Sequence, residues 1–203
     1  MPTHAALLIV DVISDLEFPG GEKVHPWAEG MADALVPVRD AARKAGLPVI
    51  YANDNFGQWK SNFDDVYQHA ARAGARGRNV ARKLKPGKED FFILKPKHSA
   101  FFATSLEPLL QSLNVRTLIL AGIATNICVL FTAHDAYMRE YEIIVLSDCC
   151  AAETDHDHDE ALIQLVKFCG STVCRSNELD LKTLKVKRKS PPKVEKKPSK
   201  KAS

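Results

Sequence analysis

The sequence lacks any apolar run long enough to cross a lipid bilayer. Apolar runs such as Leu118–Ala121 and Ile143–Leu146 are far shorter than the about 20 residues that a spanning helix needs. No basic segment precedes the apolar run near the N-terminus, so we expect no signal peptide and no membrane contact. A composition of 45% apolar and 26% charged residues is typical of a soluble globular protein.

The chain also has few cysteines. There are five, an odd number, and their spacing does not match a disulfide scaffold. Reduced thiols in a cytoplasmic protein are therefore the simpler interpretation.

Acidic residues are scarce only at the C-terminal end. Residues 179–203 contain ten Lys and Arg against two Asp and Glu, whereas the first 178 residues contain 18 against 23. The terminal segment is too rich in Lys, Pro and Ser to bury a core, and we predict a disordered basic tail over 179–203 after one domain over 1–178. The tail could contact nucleic acid weakly through phosphate attraction, or it could serve solubility alone.

Alternating strand and helix patterns run through the domain. Because the strand segments are continuously apolar, they predict a sheet that is covered on both faces. We therefore predict an α/β fold with three α-β-α layers and a mostly parallel, Rossmann-like sheet of about six strands. The predicted strands are Ala5–Val10, Leu47–Tyr51, Asp90–Leu94, Thr117–Ala121, Glu142–Leu146 and Ser171–Cys174. The predicted helices are Met31–Ala45, Val66–Arg76, Leu106–Leu113, a segment from Cys128 to about Arg139, and Glu160–Phe168.

Three ionisable residues follow strands of this sheet: Asp11 after the first, Lys95 after the third and Cys128 just past the fourth. Ligands of open parallel sheets bind beyond the carboxyl ends of the strands. A helix N-terminus and a nearby cation lower the pKa of a cysteine from about 8.5, and a carboxylate can accept the thiol proton. Each residue also has a structural alternative. Asp11 could be a turn residue, Lys95 a solvated surface side chain and Cys128 a packing thiol.

Four segments in order resemble the isochorismatase-like cysteine hydrolases, a family that includes nicotinamidases, N-carbamoylsarcosine amidohydrolase and ureidoacrylate amidohydrolase. The matching segments are LLIVDVISDL, LKPKHSAFFATSL, GIATNICVLFTAHDAYMREY and IIVLSDCCAA. The resemblance covers nearly everything from Ala5 to Asn177.

The resemblance implies a catalytic triad. It makes Asp11 the general base and Cys128 the nucleophile, and the spacing to Ser99-Ala100-Phe101 selects Lys95 over the competing Lys97. It also implies a cis peptide bond between Ile123 and Ala124. The backbone amides of Ala124 and Cys128 would then form an oxyanion hole.

The implied activity is hydrolysis of an amide, ureido or carbamoyl C–N bond of a small molecule through a thioester on Cys128. True isochorismatases resemble this pattern but carry glycine at the cysteine position. Two alternatives stay open: a hydrolase of a non-amide bond, and a binding protein of this fold without catalysis. The resemblance also implies a homo-oligomer.

Metal and cofactor are not expected. Nicotinamidases carry an Asp-x-His metal site and a further histidine after the second strand, where this chain has Asn53-Asp54-Asn55. The acidic segment Asp155–Glu160 is better explained as the favourable start of a helix.

Aromatic residues and one histidine fall in or beside the loops at the expected crevice. They could shape a substrate pocket or merely pack loops and a subunit interface. The candidates are Phe18, Trp27, Phe56, Trp59, His98 and Phe101.

Overall fold

A computed structural model of the chain describes residues 4–57 and 62–186. Its centre is a six-stranded, all-parallel sheet in the order β3-β2-β1-β4-β5-β6. The strands are β1 Ala5–Val10, β2 Val49–Asp54, β3 Phe91–Lys95, β4 Thr117–Ile123, β5 Glu142–Ala151 and β6 Thr172–Cys174. The predicted α/β class and sheet are confirmed.

Among the described residues, six α-helices flank this sheet. They are α1 Gly21–Lys44, α2 Phe63–Ala70, α3 Arg78–Lys83, α4 Leu106–Ser112, α5 Leu130–Met138 and α6 Asp155–Cys169. A π-helical turn, Thr125–Val129, joins β4 to α5. The chain continues through a 3₁₀ turn, Ser176–Glu178, to a short antiparallel pair, β7 Leu179–Asp180 and β8 Lys185–Val186.

The two faces of the sheet bury separate apolar clusters. Leu7 and Ile9 of β1 pack with α1, α2 and α3, whereas Leu8 and Val10 pack with α4, α5 and α6. This alternation follows from the two-residue period of a strand, and it explains why the strand segments are continuously apolar in sequence. The result is the expected three-layer arrangement.

Helix α1 begins ten residues before the predicted start at Met31. Pro26 and Pro37 both lie inside it, and Pro26 hides the early start, because proline normally ends a helix. The spacing of Val24 and Ala28 nevertheless continues the buried stripe of the later residues. The predicted helix Val66–Arg76 is also wrong in extent, since α2 already ends at Ala70 and the next helix, α3, begins only at Arg78.

Helix α6 begins at the acidic segment. The Thr154 hydroxyl caps it by accepting the backbone N–H of Asp157, and Asp155 and Asp157 lie in its first turn. Carboxylates there stabilise a helix through its dipole. The interpretation of this segment as a helix start therefore agrees with the structure, although the helix starts five residues before Glu160.

The first residues of the predicted tail are folded. Leu179 is 9% exposed, and Leu181, Leu184 and Val186 pack against the α1 side of the core. These apolar residues lie ahead of the main Lys-rich run, so the composition of the whole segment masked them. The prediction of disorder is wrong for 179–186, and residues 187–203 lie outside the described residues.

Within the described parts of the chain, no helix has the length and apolar character that a membrane span requires.

Candidate active site

The strand order reverses direction between β1 and β4. The chain builds the sheet outward from β1 to β3, then returns to place β4 on the other side of β1. In parallel sheets such a switch point opens a crevice at the carboxyl ends of the strands. Asp11 follows β1 at this point, and Cys128 lies in the π-helical turn that follows β4.

Asp11 is held by backbone and side-chain partners. Its φ of 52° places it in the left-handed region, which aspartate tolerates better than most residues. The backbone N–H of Asp54 donates to Asp11 Oδ1 at 2.7 Å, and Lys95 Nζ lies 2.7 Å from Asp11 Oδ2. Both carboxylate oxygens are therefore engaged.

Lys95 ends β3 and is fully buried, with a side-chain exposure of 0%. Its Nζ also donates to the Lys97 carbonyl at 3.0 Å and lies 3.6 Å from Cys128 Sγ. Lys97 itself is exposed. The structure thus brings Lys95, and not the competing Lys97, between the carboxylate and the thiol.

Cys128 is partly exposed, whereas the other four cysteines are buried. Its Sγ lies 3.9 Å from His98 Nδ1 and 3.6 Å from Lys95 Nζ, and this ammonium group also pairs with the Asp11 carboxylate. A thiol, a carboxylate and an ammonium group therefore form one connected cluster in which a proton can pass from sulfur to oxygen.

The pKa of the Cys128 thiol is raised, chiefly by burial and then by the negative charge of Asp11, and Lys95 offsets this only in part. The expectation of a lowered cysteine pKa is therefore wrong, because it counted the cation and omitted burial and the carboxylate. Burial also raises the pKa of Asp11 against the opposing effect of Lys95. For Lys95, burial lowers the pKa, but the charges of Asp11 and Cys128 outweigh it and the net shift is upward.

The turn that carries Cys128 begins with a cis peptide bond between Ile123 and Ala124, as the resemblance predicts. The Ala124 carbonyl accepts the backbone N–H groups of Ile127 and Val129, which fixes the turn. The Cys128 amide lies in the first turn of this helical segment, where backbone N–H groups lack partners within the helix.

A cavity of about 310 Å³ opens onto Cys128 and Asp11. Three of the predicted pocket residues line it, namely Phe18, Phe56 and His98. The structure therefore brings these three side chains to the thiol.

Two other predicted pocket residues lie elsewhere. Trp27 is on α1 beside a separate cavity that includes Asp148 and His158, because α1 starts early and makes position 27 helical rather than part of a crevice loop. Phe101 is 5% exposed and packs in the core against Tyr141. Trp59 lies outside the described residues.

Sequence reasoning missed further residues that line the Cys128 cavity: Ser14, Asn53, Asp54 and Ile127. Asn53 and Asp54 end β2. Like Asp11 and Lys95, they therefore lie at the carboxyl end of a strand, where ligands of parallel sheets bind. In the sequence, the metal-ligand positions of nicotinamidases draw attention to this segment for a different reason.

Comparison with known proteins agrees with this geometry. The family model described as "Isochorismatase domain" matches residues 5–178. The chain belongs to the isochorismatase family. It is accordingly an isochorismatase-family hydrolase.

Three similar proteins show the extent of the similarity. The chain is 42% identical to the uncharacterized isochorismatase family protein YaaI of Bacillus subtilis (strain 168), over 79% of this chain and 87% of the relative. It is 29% identical to the ureidoacrylate amidohydrolase RutB of Acinetobacter baylyi, over 73% of this chain and 71% of the relative. The crystal structure of N-carbamoylsarcosine amidase from Thermoplasma acidophilum matches with a TM-score of 0.68 and 28% identity, over 87% and 98% of the two chains.

The metal site that nicotinamidases of this family carry does not fit the residues present. Asn53 Nδ2 donates to the Ile13 carbonyl, and Asn55 Oδ1 accepts the backbone N–H of Gly57. His69 faces Asp15, with Nε2 2.8 Å from Oδ2. Across residues 4–57 and 62–186, no group of three His, Cys, Asp or Glu side chains is arranged to hold a metal ion.

Proposed function

We propose that this protein is a cysteine hydrolase that cleaves a C–N bond of a small molecule through a thioester on Cys128. The single observation that carries the proposal is the cluster in which Lys95 Nζ lies 2.7 Å from Asp11 Oδ2 and 3.6 Å from Cys128 Sγ. Relatives named as amidohydrolase and amidase support an amide, ureido or carbamoyl substrate.

The first half of the reaction forms the acyl-enzyme. The Cys128 proton moves to Asp11 as sulfur attacks the substrate carbonyl, and the backbone amides of Ala124 and Cys128 stabilise the oxyanion. The C–N bond then breaks, and Asp11 returns the proton to the departing ammonia or amine. Carbon stays bonded to sulfur as a thioester.

The second half releases the acid. A water molecule gives a proton to Asp11 and attacks the thioester carbonyl, and the C–S bond breaks as the proton returns to Cys128. Lys95 keeps its charge throughout, because its raised pKa holds the proton. Its role is to stabilise whichever of Asp11 and Cys128 is negative.

A screen of amides, ureido acids and carbamoyl compounds, with released ammonia as the readout, tests the proposal. We expect wild type to release ammonia from a member of this panel, and Cys128→Ala to lose about four orders of magnitude in rate. Cys169→Ala is the matched control, since Cys169 packs in the core away from the cavity. Full activity in Cys128→Ala would remove the thiol from the mechanism, and a folded wild type that is inactive on the whole panel would favour a binding protein.

A further inference from the structure

The cavity at Cys128 contains more negative than positive charge. Two carboxylates, Asp11 and Asp54, line it. Among the described residues that line it there is no arginine or lysine, and the nearest ammonium group is the buried Lys95, which pairs with Asp11. With one cation against two carboxylates, the cluster carries a net negative charge.

Asp54 is fixed in this position by its own loop. Its backbone N–H donates to Asp11 Oδ1, and its Oδ1 accepts the backbone N–H of Phe56 at 2.6 Å. The charge of Asp54 also acts on Lys95. Asp54 therefore adds a carboxylate that the proton transfers of the proposed mechanism do not use.

The remaining walls are mainly apolar. Phe18 and Phe56 are each 41% exposed, and Ile123 and Ile127 complete the lining near the sulfur. Phe56 has a φ of 52°, a strained conformation for an aromatic residue, and the Asp54 carboxylate holds its N–H there. An aromatic side chain held in this way offers a planar apolar contact to a ligand.

We propose that the Cys128 cavity takes a small amide whose acyl group is apolar and carries no carboxylate, and that Asp54 is the residue that disfavours anionic substrates. This rests on the proposed function and narrows its substrate class. Like charges brought together weaken binding, and a carboxylated ligand in this cavity would meet the charge of Asp54 beside that of Asp11. Ureidoacrylate, which the relative from Acinetobacter baylyi is named for, carries such a carboxylate.

Protection of Cys128 from iodoacetamide tests this without turnover. The probes are benzamide, 4-carbamoylbenzoate and 4-(aminomethyl)benzamide, which differ in charge on one apolar amide. In wild type we expect benzamide and the cationic probe to give half-protection at a concentration at least about tenfold below that of 4-carbamoylbenzoate. The difference between the half-protection concentrations should shrink as salt is added, because salt screens charge.

The Asp54→Asn variant assigns the effect to one residue. Asparagine retains the oxygen that accepts the Phe56 N–H, so the loop contact is conserved while the charge is lost. We expect tighter binding of 4-carbamoylbenzoate, a ratio to benzamide within about threefold, and unchanged protection by benzamide. Asp64→Asn, which removes an exposed carboxylate of α2 outside the cavity, should leave the wild-type ratio intact.

Three results would overturn the inference: stronger protection by 4-carbamoylbenzoate than by benzamide in wild type, an unchanged ratio in Asp54→Asn, or no protection by any of the three probes. The proposed function is tested by a separate measurement, namely the release of ammonia by wild type and by Cys128→Ala. Turnover that depends on Cys128 but is confined to carboxylated substrates would overturn the charge selection alone.

Discussion

In the proposed mechanism the proton of the Cys128 thiol passes to Asp11, and the charge of Lys95 stabilises the group that is left negative. Burial raises the pKa of the Asp11 carboxyl group and of the Cys128 thiol, and the ammonium group of Lys95 opposes the rise in both. The free thiolate is therefore scarce near neutral pH, and the thiol proton has to pass directly to Asp11 as the substrate is attacked.

The pH profile should reflect the raised pKa of Asp11. The base acts only when ionised, so kcat/KM should fall as the pH drops through this pKa. Because the pKa is raised, the fall should occur above the about 3.9 of an ordinary aspartate. Initial rates from pH 4 to 9 with a turned-over substrate give the midpoint; a flat profile down to the ordinary aspartate range would contradict the assignment.

Replacing the buried cation should affect chemistry and stability together. Lys95→Met removes the charge that lowers the pKa of Asp11, so the acid limb of kcat/KM should move to higher pH while the maximum rate falls. An unpaired buried carboxylate should also lower the free energy of unfolding by about 3 kcal/mol in urea titrations. Lys97→Met is the control, because this exposed side chain should leave both quantities unchanged.

The five thiols should differ in accessibility. Brief iodoacetamide treatment followed by peptide mass spectrometry should label Cys128 first, since it alone is partly exposed. The rate should rise with pH beyond the range of an ordinary thiol, because the pKa of Cys128 is raised. Labelling that favours Cys149 or Cys174 would count against this cysteine as the accessible nucleophile.

At the scale of elements, the site depends on how closely β4 approaches β1. The two strands pair in unbroken register with Val10 opposite Gly122, whereas the pairing of β4 with β5 shifts register between Leu120 and Gly122. A Cβ at Gly122 would lie 2.0 Å from the Val10 carbonyl oxygen, and the φ of +127° also disfavours a side chain. Only glycine permits this approach.

Gly122→Ala should therefore separate the strands that carry Asp11 and Cys128. We expect loss of turnover and a drop of at least about 3 kcal/mol in the free energy of unfolding. Gly30→Ala is the matched control: nothing lies within 4 Å of its Cβ position, so stability should stay the same or rise by up to about 1 kcal/mol. A fully active, stable Gly122→Ala would show that the close approach is not needed.

The sequence predicted the strands better than the bounds of the helices. Strand positions could be read from continuous apolar runs, because a strand buried on both faces has no polar alternation. The start of α1 could not be predicted in this way, because Pro26 interrupts a helical pattern that packing nevertheless maintains. At the site, strand ends and the family resemblance selected Asp11, Lys95 and Cys128, whereas the raised pKa of Cys128 depends on burial, which is a property of the tertiary structure.

At the scale of the whole molecule, residues 179–186 of the C-terminal segment pack on the domain. A chain ending at residue 186 should keep wild-type turnover and stability. A chain ending at 178 also loses β7 and β8, whose Leu179 and Val186 pack on the core, and should be less stable by about 2–4 kcal/mol. Thermal or urea unfolding of both chains measures this; equal stability would mean that the β7–β8 pair adds nothing.

The central claim is that Cys128 carries the acyl group during turnover. The direct measurement is acid quenching within milliseconds of mixing wild type with the best substrate of the ammonia screen, followed by intact-mass and peptide analysis. We expect a mass increase that equals the acyl part without its amine, located on the peptide that contains Cys128. An acyl group on any other residue, or product formation at the wild-type rate by Cys128→Ala, would contradict the account.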